Sequence, residues 1–166
     1  MILGMSTSTF TLVHVLLSLA GIGSGFIVMF GLLAGKRLNG WTAIFLTTTV
    51  ATSLTGFLFP FEHLLPSHIV GILSLLVLAV VIPARYVFHM AGAWRRVYVT
   101  GAAIALYLNV FVAIVQAFLK VPALKAIAPT QKEPPFVIAQ TVALGIFVVL
   151  TILAAKRFHV EQVRAA

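Results

Sequence analysis

The chain has 166 residues, of which 61% are hydrophobic and 8% are charged, against about 25% charged in an ordinary soluble domain. Too few charges remain to cover a water-facing surface, and a mean hydropathy of +1.15 points to lipid as the solvent. The net charge of +8 is gathered in short basic clusters between long apolar runs, which is a pattern of membrane topology and not of a nucleic-acid surface, and the lack of cysteine excludes disulfides, thiolate metal sites and covalent c-type haem within the sequence.

Crossing the hydrocarbon as a helix takes about 20 apolar residues. Five runs qualify, so the expected fold is all-α: an integral membrane helical bundle of five transmembrane helices in one domain over residues 1–166. The first span is placed at about 10–34. Residues 1–13 carry no charged side chain and Lys36-Arg37 follow the apolar run, so it reads as a retained span and not a cleaved signal. His14, Ser18, Gly21 and Gly25 fall on one face of it, where small residues let a neighbouring helix approach. The same small-residue groove could alternatively admit a flat cofactor ring.

The second span, about 41–61, is rich in threonine, with Thr48, Thr52 and Thr55 on a face that Glu62 continues. Threonine hydroxyls can bond the carbonyl four residues back, so self-satisfied hydroxyls are expected, with a polar track toward Glu62 as the alternative. The segment from Glu62 to His68 reads as a turn with Ser67 as helix N-cap. The third span, about 67–88, contains Pro83 and should kink there. The fourth, about 94–119, carries Asn109 and Gln116. Buried amides in lipid need partners, and Gln140 in the fifth span, about 135–155, could supply one. The connection over 120–134 is the longest. Leu124, Ile127 and Ala128 are expected to fold it onto the outer mouth of the bundle, with Pro135 in the first turn of the fifth span.

Orientation follows from the basic residues. Lys36, Arg37, Arg85, Arg95, Arg96, Lys156, Arg157 and Arg164 fall on one side, and Lys120, Lys125 and Lys132 on the other. Eight against three puts the first set in the cytoplasm, the N-terminus outside and the C-terminus inside.

Of the five histidines, His14, His63 and His68 fall near the outer face together with Glu62 and Glu133. Imidazole ligates haem iron, copper and zinc. A b-type haem held by His14 and His68 would need the first and third spans to be neighbours, with Gly21 and Gly25 giving its slot and Gln116 a donor to a quinone carbonyl. A metal would draw on His14, His63, His68 and Glu62, the carboxylate orienting an imidazole. Ordinary interfacial hydrogen bonding is the plainer alternative. No HExxH, GxSxG or Gly-rich phosphate loop is present, and no Asp occurs.

The stretches Pro66-Ser67-His68-Ile69-Val70-Gly71 through Ala84-Arg85-Tyr86, and Ala128-Pro129-Thr130-Gln131-Lys132-Glu133-Pro134-Pro135-Phe136, resemble small multi-span inner-membrane proteins of proteobacteria with no assigned function. That resemblance covers most of the chain and implies neither activity nor cofactor. A fainter similarity, resting on a His early in the first span and another opening the third, is to small membrane proteins of the cytochrome b type. It implies haem b, although a second within-span His pair is missing. Three functions are therefore expected: first an accessory or structural subunit of a larger respiratory or photosynthetic membrane assembly, with protein partners in the bilayer and none of nucleic acid; then a haem- or quinone-binding electron-transfer subunit; then a small transporter or lipid-interacting protein.

Overall fold

Long apolar runs in lipid must satisfy every backbone N–H and C=O internally, and a helix does this within one segment. The computed structural model describes residues 2–60 and 66–159, and these residues form helices and no named strand. The helices are α1 (Thr7–Leu33), α2 (Asn39–Gly56), α3 (Pro66–Tyr86), α4 (Ala93–Lys120), α5 (Pro122–Ile127) and α6 (Pro134–Arg157). Four of them, α1, α3, α4 and α6, are long and apolar enough to cross a membrane. Six threonines in the 18 residues of α2 keep it out of that set.

Local chemistry sets the boundaries. Ser6 caps α1, its hydroxyl accepting from the Thr9 amide at 3.2 Å. Gly35, at a φ of 70°, ends that helix in the left-handed conformation that glycine tolerates. The second helix stops at Gly56, short of the expected 61. Phe57 and Leu58 close it with bonds to Leu54 and Thr55, and Pro60 removes the amide that would continue it. Ser67 is not the cap expected of it: α3 begins one residue earlier, at Pro66, where a missing N–H is harmless. That helix runs on through Pro83 to Tyr86.

Packing is organised around α4, which touches α1, α3, α5 and α6, while α2 lies against α1 and α3. The densest core occupies one half of the bundle. It joins Val28, Met29 and Leu32 of α1, Phe45 and Leu46 of α2, Leu78, Val81 and Ala84 of α3, Tyr98 to Leu106 of α4, and Phe147 and Ala154 of α6. All of these lie toward the end that carries Lys36, Arg85, Arg95 and Lys156. Ala102, Ala103 and Ala105 let α4 sit close to its neighbours there.

The connection over 120–134 is ordered by its own short helix, α5, and by side-chain bonds. Gln131 Nε2 donates to the Val115 carbonyl at 2.9 Å. The Glu133 carboxylate accepts from the Thr130 amide and hydroxyl and from the Lys132 amide. Ala128 is fully buried, as expected of a segment folded onto the bundle, whereas Ile127 stays 53% exposed.

Candidate functional site

Polar side chains are held at three levels of the bundle. At the end formed by the start of α1 and the close of α2, His14 Nδ1 bonds Thr55 Oγ1 at 2.8 Å. The Phe59 ring packs edge-on against the His14 imidazole at 5.2 Å and against Phe10 at 5.0 Å. His68, at the start of α3, is only 3% exposed and stacks on Phe57 at 5.6 Å. Both imidazoles are thus engaged by side chains from the C-terminal end of α2, which packs against α1 and α3 alike. Glu62 and His63, the other members of the expected site, lie outside the described residues. Among the described residues no three His, Asp or Glu side chains gather as a metal site would require.

The small face of α1 is filled by its neighbours. A Cβ added to Gly25 would stand 2.5 Å from Leu106 Cδ1 and 2.9 Å from Phe45 Cε2, and one added to Gly21 would meet Thr48, Asn109 and Thr49 at 3.3 to 3.5 Å. These glycines serve a close three-helix crossing of α1, α2 and α4, and no ring-sized slot opens over them. Beside Gly21, Asn109 Nδ2 donates to Thr49 Oγ1 at 3.1 Å, tying α4 to α2. Thr48 and Thr55 bond the carbonyls of Ile44 and Ala51 in their own helix. Thr52 Oγ1 is buried without a partner among the described residues. Gln140 reaches the Phe111 carbonyl of α4 at 3.2 Å, not another amide side chain. Gln116 is half-buried one residue beyond Val115, the carbonyl of which takes the Gln131 bond.

The chain matches no family model, no curated protein and no solved structure. The site has to be read from its own chemistry.

At the opposite end the structure holds a buried cation, a role that counting basic residues by side does not give to Arg85. Arg85 is 5% exposed. Its Nη2 donates to Asn39 Oδ1 at 2.7 Å and to the Arg37 carbonyl at 3.1 Å, and the guanidinium lies 5.0 Å from the centre of the Tyr98 ring. One residue of α3 therefore ties together the α1–α2 loop, the start of α2 and the start of α4. Nearby, Arg95 donates to the carbonyls of Ala155, at 3.1 Å, and Phe158, which fixes the start of α4 to the end of α6. The signal available in the sequence was position: Arg85 stands only two residues after Pro83, inside the apolar run and not beyond it. An arginine there must either reach the interface or be paired.

Proposed function

We propose that this chain is a non-catalytic structural subunit of a larger assembly in a bacterial inner membrane, crossing the bilayer five times with its C-terminus in the cytoplasm. The observation that carries the reading is the free face of α6. Among the described residues this helix buries only Phe147 and Ala154. Ile138, Val142, Ile146 and Val149 are each about half exposed, and Leu153 continues the same stripe at helical spacing. Within that stripe Thr141 and Gly145 are exposed four residues apart, and nothing comes within 4 Å of where a Gly145 side chain would begin. Small residues at that spacing, flanked by branched apolar ones, form the notch through which one membrane helix seats another. The polar groups inside the bundle instead serve contacts between its own helices, as Asn109 to Thr49 and Gln140 to Phe111 do.

A fifth crossing by α2 is supported by where its ends are tied. Asn39 at its start is bonded to Arg85, and Thr55 near its close is bonded to His14 at the opposite end of the bundle. Eighteen residues rise about 27 Å, close to the thickness of the hydrocarbon. Thr48 and Thr55 can enter lipid because their hydroxyls are bonded within the helix, and Thr49 because it accepts from Asn109 of α4.

Gentle extraction from native membranes tests the subunit reading. The chain should co-purify with a protein partner at fixed stoichiometry, and Gly145→Leu should release that partner while leaving the thermal midpoint of the isolated chain unchanged or higher. The substitution meets no neighbour, and leaving glycine in a helix gains about 1 kcal/mol. Purification of a partnerless chain, or a partner retained by Gly145→Leu, would count against the reading.

A further inference from the structure

The side of α6 next to the Thr141–Gly145 notch meets α4. Ile104 and Tyr107 of α4 and Leu144, Phe147, Val148, Thr151 and Ile152 of α6 line an apolar groove of about 220 Å³ that opens to the outside of the bundle. The one hydroxyl on the α6 wall, Thr151, is bonded to the Phe147 carbonyl at 2.6 Å, so that wall offers hydrocarbon alone.

Both walls run into cations at the same end. On α6 the row Leu144, Val148, Ile152 continues four residues on to Lys156. On α4 the row that reaches Tyr107 starts, eleven residues earlier and three helical turns away, at Arg96. The Arg95 bond to the Ala155 carbonyl sets these two helix ends side by side, and Arg96 and Lys156 are each the next residue along, beyond the groove's lining at that end. Both side chains are exposed, and Arg157 is exposed beside them. Among the described residues the one acid is Glu133, at the far end of α6.

We propose that this groove binds an anionic phospholipid. One acyl chain lies between α4 and α6 against Tyr107, Val148 and Ile152, and the phosphate sits between Arg96 and Lys156. The chemistry is two-part: an apolar channel as deep as a chain segment, and a basic mouth at the level where a headgroup would stand. A zwitterionic lipid would fill the channel equally but carry no net charge to the mouth. A basic residue near the membrane surface favours an anionic lipid by about fivefold. The inference rests on the chain being embedded in a bilayer, and the groove adjoins the Thr141–Gly145 notch, which Val148 and Ile152 continue at helical spacing.

The test places a reporter in the groove. Trp41 and Trp94 are the two native tryptophans. Trp41→Phe and Trp94→Phe remove them, and Tyr107→Trp puts a single indole on the groove wall. The full chain is reconstituted in phosphatidylcholine vesicles containing a small fraction of either phosphatidylglycerol or phosphatidylcholine with brominated acyl chains, which quench indole on contact. The expected result is quenching by the brominated anionic lipid at about fivefold or more lower mole fraction than by the zwitterionic one, with Arg96→Gln plus Lys156→Gln bringing the two curves together. Equal quenching in the unmodified pair, or a preference that survives the double substitution, overturns the lipid site and leaves the membrane reading intact. No quenching by either lipid would show that the groove does not face a bilayer, and would overturn both.

Discussion

Arg85 shows how a single residue can be misjudged by position and explained by its partners. A guanidinium that is 5% exposed is stable only where its donors are met, and here an amide oxygen, a carbonyl and an aromatic face meet them. The charge-assisted bonds to Asn39 and Arg37 are worth about 1.5 to 3 kcal/mol each at most when removed. Arg85→Ala should therefore lower unfolding stability by about 3 kcal/mol in a detergent or mixed-micelle titration. Arg85→Lys should lose less than half as much, because both bonds leave the single nitrogen Nη2, which an ammonium can replace, and the planar contact with Tyr98 is what it gives up. Stability within about 0.5 kcal/mol of the parent in Arg85→Ala would mean the contacts contribute nothing net. The sequence shows that Arg85 stands inside an apolar run, near its end. It does not show that the backbone of the α1–α2 loop comes over it, because that contact joins residues 48 positions apart.

At the scale of the element, the apolar runs locate the helices well, and the five long helices fall on the five runs. Periodicity also marks the close crossing on α1, since glycines at matching spacing have one plain structural use. Ends and short helices are less legible, because they depend on capping and proline chemistry over two or three residues. Pro60 cuts α2 back to Gly56, Pro66 starts α3 ahead of Ser67, and Pro122 opens the short helix α5 inside what reads as loop. The expected pairing of His14 with His68 cannot be read from the sequence for another reason: whether two helices face each other is set by packing, and here Thr55 of α2 meets His14 while Phe57, just past that helix, meets His68. The α1 crossing can be tested within one helix. Gly25 is pressed by Leu106 and Phe45, whereas Gly23, two residues before it, has nothing within 4 Å. Gly25→Ala should cost about 1 to 3 kcal/mol through overpacking. Gly23→Ala should be neutral or stabilising by up to about 1 kcal/mol through helix propensity. If both substitutions had the same effect on the unfolding midpoint, the crossing would not be as tight as its geometry implies.

For the whole molecule the deciding quantity is the number of crossings, and one pair of loops settles it. If α2 spans, the α1–α2 loop and the α3–α4 turn lie on the same side of the membrane, where the basic residues gather. If α2 stays on one side, the two are separated and the chain crosses four times. The first arrangement is the one proposed above, and it is the one in which Arg85 at the close of α3 and Asn39 at the start of α2, bonded to each other, lie on one side of the bilayer. The absence of cysteine makes the measurement clean, since a single introduced thiol has no background. Lys36→Cys, His89→Cys and His159→Cys should be protected from a membrane-impermeant thiol reagent in intact cells and labelled after permeabilisation. Leu3→Cys and Lys125→Cys should be labelled in intact cells. Opposite accessibility of positions 36 and 89 would reduce the crossings to four and place positions 3 and 159 on the same side. It would also require the Arg85–Asn39 contact to be absent from the membrane-inserted protein, so the stability loss in Arg85→Ala should vanish in the same sample. The two measurements therefore stand or fall together, one reading the topology from labelling and the other reading it from the energy of the contact that only one topology permits.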